Sequence, residues 1–171
     1  MSVDQTRTPK ATPTATPRGR VVLAHGGGGQ LTDELLNQAI RPRLGNAALN
    51  ELLDSALLDV EPDHRLAMTL DGYVVTPWQF PGGDIGKLAV SGTINDLAVC
   101  GAKPLGVALG LIIAEGFAQS DLACIVDSIG RTAEQAGVPV VTGDTKVVGS
   151  NQADGIYITT AGVGQVPRAL T

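Results

Sequence analysis

Three aspartates, a run of glycines and two lysines are the residues of this chain best suited to chemistry. Asp96 lies in Ser91-Gly92-Thr93-Ile94-Asn95-Asp96-Leu97-Ala98-Val99, where the neighbours are almost all apolar or small. It is the only charged residue between Lys87 and Lys103. A helix of that composition is expected to be mostly buried, and a carboxylate there needs compensation. A helix cap does not supply it, because Asp96 sits near the helix end. A bound cation or a distant basic or backbone partner is left. Asp71 stands before Gly72 at the end of an extended run, where Asp-Gly also reads as a turn pair. Asp144 follows Gly143 and precedes Lys146 by two. In a strand that spacing puts carboxylate and ammonium on one face, as a ligand site or as an exposed ion pair.

Gly26, Gly27, Gly28 and Gly29 follow His25 and precede Gln30-Leu31-Thr32-Asp33-Glu34-Leu35, which reads as a helix. Glycines leading into a helix leave backbone N–H groups free for an anion such as phosphate. No Gly-Lys-Ser/Thr follows, so the run is not a P-loop. A mobile loop that binds nothing is the alternative, and His25 in it reads as solvated. Mg²⁺ takes oxygen ligands and is shared with phosphates. Carboxylates, a glycine loop and Lys87 and Lys146 as point charges therefore compose a metal–nucleotide site.

The elements that must position these groups alternate between strand and helix. Val21–Ala24 reads as a short strand, Gln30 to Leu44 as a helix with a further turn near Ala47–Leu53, and Ala56–Val60 as a short strand. Arg65–Asp71 is a longer strand ending in a turn, followed by a loop from Pro77 to Gly83. Asp84 is placed to cap a helix that Gly101 closes and Pro104 forbids from continuing. Leu105–Ile113 is a buried strand. Ser120 is placed to cap a helix with Leu122, Ile125, Val126, Ile129, Ala133 and Ala136 on one stripe, closed by Gly137. Val138–Thr142 and Ile156–Val163 are strands.

The 171 residues suit one domain behind a tail. Residues 1–20, rich in Thr and Pro, read as a disordered tail, and 21–171 as the domain. The tail holds four cations against Asp4, so the rest is more acidic than the net charge of −5. An acidic body argues against a nucleic-acid or anionic-membrane surface, and no apolar run is long enough to span a bilayer. Cys100 and Cys124 lack zinc or disulfide spacing and read as small core residues in a reducing compartment, which favours the cytoplasm.

Five separated motifs occur in a telling order: His25-Gly26-Gly27-Gly28-Gly29-Gln30, Asp71-Gly72, Phe80-Pro81-Gly82-Gly83-Asp84-Ile85-Gly86-Lys87-Leu88-Ala89, Gly92-Thr93-Ile94-Asn95-Asp96-Leu97-Ala98, and Thr142-Gly143-Asp144-Thr145-Lys146-Val147-Val148. From about residue 21 to 167 the chain resembles the amino-terminal half of the HypE family of hydrogenase maturation factors. That family lies within the superfamily of aminoimidazole ribonucleotide synthetase, selenophosphate synthetase and thiamine-monophosphate kinase. The resemblance implies an α/β (α+β) domain of the PurM-like N-terminal type, a mixed β-sheet backed by helices on one face. It implies that two copies pair their sheets into a barrel-like dimer with ATP at or near the interface. Asp71, Asp96 and Asp144 would hold Mg²⁺. The glycine loop and Lys146 would meet phosphates, Lys146 as the catalytic candidate, with Asn95 a polar neighbour.

The family reaction spends ATP to dehydrate a carboxamide carried on a C-terminal cysteine, giving the thiocyanate that supplies cyanide to [NiFe]-hydrogenase iron. Its partners would be the carbamoyltransferase HypF and the HypC–HypD scaffold. The family's second domain and its acceptor cysteine are not matched in this sequence, so the chain alone is expected not to complete the reaction. A small-molecule kinase or synthetase domain of the same superfamily, or a non-catalytic dimerisation module, are the competing readings.

Overall fold

A computed structural model of the chain describes residues 19–51, 53 and 55–170. The fold begins where Arg20 bridges to Ala118 and donates from Nη1 to the Gly116 carbonyl, so Arg20 belongs to the domain. Gly19 joins it by accepting from the Gln119 N–H, and residues 1–18 of the expected tail lie outside the described residues.

Val21 is fully buried, but Leu23–Gly26 winds into a 3₁₀ turn where a strand is expected. Helix α1 (Gln30–Leu35) runs through a π-turn (Leu36–Ile40) into α2 (Arg41–Leu44) and then α3 (Ala47–Asn50). The π-turn has a local cause. Pro42 has no N–H for the Gln38 carbonyl, and Arg43 Nη1 reaches back to the Gln38 and Ala39 carbonyls at 3.2 and 2.9 Å. Residues 56–60 form no strand.

Strand β1 (His64–Tyr73) is continuous, so Asp71-Gly72 lies inside a strand and forms no turn. Asp71 and Gly72 pair with residues 160 and 159 of the last strand, and that non-local ladder overrides the local turn preference. The expected loop at 77–83 holds a small hairpin, β2 (Gln79–Phe80) and β3 (Gly83–Asp84). Helix α4 (Ile85–Val99) follows, then β4 (Lys103–Ala114), α5 (Gln119–Ala136), β5 (Val140–Val148) and β6 (Ile156–Pro167).

The main sheet has the order β1-β6-β4-β5, with β4 and β5 parallel and the other pairs antiparallel. The mixed sheet of the resemblance is therefore present, and the parallel pair needs the crossover that α5 supplies. Leu109, Leu111 and Ile113 of β4 and Ile156 and Ile158 of β6 point at α4 and α5. They meet Ile85, Ala89 and Val90, and the α5 stripe Leu122, Ile125, Val126 and Ile129. Each large side chain buried there contributes about 1.5–3 kcal/mol before entropy.

The helix ends follow from single residues. Asp84 accepts from the Gly86 and Lys87 N–H groups at 2.8 and 3.0 Å, and its other oxygen accepts from buried Ser128 at 2.6 Å. Gly101 and Gly137 close α4 and α5 at φ of +69° and +66°. The N-cap of α5 is Ala118 with no side-chain bond, not Ser120, which falls inside the helix. Asp84→Ala is expected to cost about 2 kcal/mol, since it removes a cap and strands a buried hydroxyl; denaturant unfolding measures it. Gly86 lets α4 and α5 approach, since a Cβ there would lie 2.6 Å from the Ile125 carbonyl oxygen. Gly86→Ala is expected to cost ~1–3 kcal/mol in the same measurement.

Two burial expectations change. Helix α4 buries only one side, and Val99 is 84% exposed on the other, so its apolar composition does not mark a fully covered helix. Cys100 and Cys124 are both exposed, Cys100 as the residue that follows α4 and Cys124 off the packed stripe of α5. Among the described residues no helix covers the sheet's second face. Leu66, Met68 and Leu70 of β1 alternate onto it and stand 63, 73 and 67% exposed.

Candidate functional site

The carboxylates are sorted by strand alternation. On the helix-facing side of β1 stand Thr69, Asp71 and Tyr73, spaced by two. Asp71 Oδ2 accepts from the Tyr73 hydroxyl at 3.1 Å and from Thr93 of α4 at 3.3 Å. Thr93 in turn shares a short hydrogen bond with fully buried Thr160 of β6. Burial of the Tyr73 ring pushes its hydroxyl pKa up, the nearby Thr93 hydroxyl opposes this, and the neighbouring Asp71 charge adds to the rise. Tyr73 is thus a donor at neutral pH. One helical turn beyond Thr93, Asp96 Oδ2 accepts from Thr69 at 2.8 Å. Thr69 and Asp71 sit about 7 Å apart along the strand, so Asp71 and Asp96 share one neighbourhood.

Asp96 is exposed, so the burial argument that singled it out does not hold. What the structure supplies in its place is a tether on one oxygen. Asn95 is exposed beside it. Lys87 stands about 13 Å nearer the helix N-terminus, and its ammonium donates to the Gly82 carbonyl at 3.3 Å.

Asp144 and Lys146 do lie on one face of β5, and they form an exposed ion pair at 3.1 Å. That face is the open one. Asp144 pairs with Gly110, whose row runs through Thr159 to Gly72, the residue after Asp71. Asp144 is thus three strands from Asp71, roughly 14 Å, and on the opposite side of the sheet. Among the described residues no three metal-ligating side chains gather. The structure brings together Asp71 and Asp96, and separately Asp144 and Lys146.

The glycine loop lies at the β5 edge. Gly26 packs so tightly on Val147 that a Cβ would lie 2.6 Å from its backbone nitrogen, and Gly28 takes φ +74°. The N–H of Gly27 is turned to the Ala24 carbonyl and that of Gly28 to Thr32 Oγ1. Two of the expected phosphate donors are therefore engaged within the loop. His25 is 4% exposed rather than solvated, and its Nδ1 accepts from the Val22 N–H at 2.9 Å, so it fastens the loop.

The oxygen chemistry suits a hard cation. Both bonds to Asp71 fall on Oδ2, and so does the bond to Asp96, which leaves an Oδ1 on each. One or two carboxylates, waters and substrate phosphates are the set Mg²⁺ takes. Sequence reasoning missed Thr69, Tyr73, Thr93 and Thr160. The signal for the first two was present as their period of two with Asp71; the others required the packing of α4 and β6.

The profile of the family described as AIR synthase related protein, N-terminal domain, matches residues 53–166. The chain is 49% identical over 152 residues to the carbamoyl dehydratase HypE of Azotobacter vinelandii, across 89% of this chain and 44% of that protein. It thus spans less than half the length of that relative. Its backbone matches a crystal structure of the hydrogenase maturation protein HypE in complex with ATP at a TM-score of 0.82 and 42% identity, over 85% of this chain and 43% of the other. A chain of a HypE–HypF complex matches at 0.59 and 43% identity, over 81% and 43%. With the mixed sheet, the helix-backed face and the matched profile together, the chain belongs to the AIR synthase related protein family, as its N-terminal domain.

Proposed function

We propose that this chain is the ATP- and Mg²⁺-binding part of a HypE-like carbamoyl dehydratase in [NiFe]-hydrogenase maturation. The observation that carries the reading is the 0.82 match, at 42% identity, to a HypE structure in complex with ATP. Asp71 and Asp96 would hold the metal on one side of the sheet. Asp144 and Lys146 would serve from the other, with the glycine loop at the edge. Because one chain separates these groups, the site is completed by more than one copy of the described residues. A second copy laid on the open apolar face, giving the barrel-like dimer, would also cover Leu66, Met68 and Leu70.

Mg²⁺, when bound, neutralises phosphate charge. Lys146, released from Asp144 by the incoming nucleotide, would stabilise charge developing on the transferred phosphoryl group, which makes it the catalytic candidate. Asn95 and Lys87 would contribute polar contacts at the margin. In the dehydration the amide oxygen attacks the γ-phosphorus as the bond to ADP breaks. Loss of the amide protons and of inorganic phosphate then leaves the nitrile carbon–nitrogen triple bond. HypF as the carbamoyl donor and HypC–HypD as the cyanide acceptor are the proposed partners, in the cytoplasm; no described helix is long and apolar enough to cross a membrane.

Titration calorimetry with ATP and Mg²⁺ tests the reading. Saturable, Mg²⁺-dependent binding is expected. A dimer without nucleotide affinity would leave a docking module, and turnover of a free acceptor would favour a small-molecule kinase or synthetase.

A further inference from the structure

We propose that Tyr73 and Thr93 are positioning residues that hold the Asp71 carboxylate by one oxygen so that the other is presented to a divalent cation. The proposal rests on the reading of Asp71 as a metal ligand.

The two hydroxyls reach Asp71 from different elements, Tyr73 from its own strand and Thr93 from α4, and both donate to Oδ2. The ring of Tyr73 packs on the hydrophobic core. Phenylalanine would fill the same space, so the hydroxyl is not required for packing. Room for the network is made by two glycines. A Cβ at position 92 would collide with the Tyr73 hydroxyl itself. A Cβ at 162 would lie 2.6 Å from Thr93 Cγ2 and 3.2 Å from Thr69 Cγ2. A chain that needed only a helix packed on a sheet could place alanine and valine at these positions. Here small residues clear a notch, and hydroxyls fill it.

The electrostatics favour the same purpose. A half-buried carboxylate with hydroxyl donors on a single oxygen loses its rotational freedom. Its ligating oxygen is then pre-aimed, which lowers the ordering cost when a cation arrives.

The test measures Mg²⁺-dependent ATP binding by calorimetry and Mn²⁺ binding by electron paramagnetic resonance on the full chain. Tyr73→Phe and Thr93→Val are each expected to weaken the metal by about 10-fold, while Thr93→Ser restores it and metal-free ATP affinity is unmoved. Gly92→Ala, which displaces the Tyr73 hydroxyl, should reproduce the Tyr73→Phe loss. Native metal affinity in Tyr73→Phe and Thr93→Val overturns the proposal, as does a fall in melting temperature with no change in metal affinity. Asp71→Asn separates the two levels. If it weakens the metal and the hydroxyl variants do not, only the positioning role fails. If it too has native affinity, the metal reading of Asp71 fails with it. Should one hydroxyl variant not fold, the other and Gly92→Ala decide the matter.

Discussion

Asp96→Asn is expected to lower Mg²⁺-ATP affinity by roughly 100-fold and to leave the melting temperature unchanged, both read on one sample by calorimetry and thermal unfolding. The separation of the two effects follows from where Asp96 sits. It is exposed at the end of α4, with a single tether from Thr69 at 2.8 Å. Asparagine keeps the shape and can still accept that bond, so the fold loses little. What it removes is the negative charge and one anionic oxygen, the two properties a hard cation requires. A buried structural carboxylate would behave in the opposite way, with stability falling and nucleotide affinity holding. An unchanged dissociation constant would take Asp96 out of the site and leave α4 as packing alone.

Met68→Asp is expected to convert the proposed dimer into a monomer, with self-association weakened on the order of 100- to 5,000-fold by sedimentation, for a penalty of about 3–5 kcal/mol on burying an unpaired charge. Met68 is 73% exposed in the single chain, so the same change should alter monomer stability by only a few tenths of a kcal/mol. Leu66, Met68 and Leu70 form an apolar row on a sheet face that no helix of the described residues covers, and Ile112 of β4 adds to that face. Contiguous exposure of this kind is the surface that the proposed second copy would cover. Wild-type protein that sediments only as a monomer would remove the barrel, and with it the proposed route by which Asp144 and Lys146 join a shared site.

Local chemistry was legible wherever a single residue sets a backbone angle or satisfies an end. Asp84 caps α4, Gly101 and Gly137 close the two long helices, and the α5 stripe from Leu122 to Ala133 packs as its period implies. The reading went astray where a distant partner overrides the local preference. Asp71-Gly72 would turn in isolation, yet β6 pairs with both residues and holds them straight. His25 would be solvated in a free loop, yet it is buried and the Val22 backbone holds its ring. Asp96 drew notice for a burial it does not have, because α4 offers only one side to the core.

The sequence by itself determined the kinship and the inventory: five motifs in order, three candidate carboxylates, a glycine loop and the C-terminal ends of the long helices. These depend on residue identity and on neighbours within a turn or two. Only the tertiary structure decided which of the acidic groups meet. Asp71 and Asp96 converge because α4 crosses β1 on one face of the sheet, and Asp144 is sent to the other because the order β1-β6-β4-β5 and the strand register put it there. A side chain's face is local, but which strands lie between two side chains is set by pairing across the whole chain, and no short run of residues encodes it.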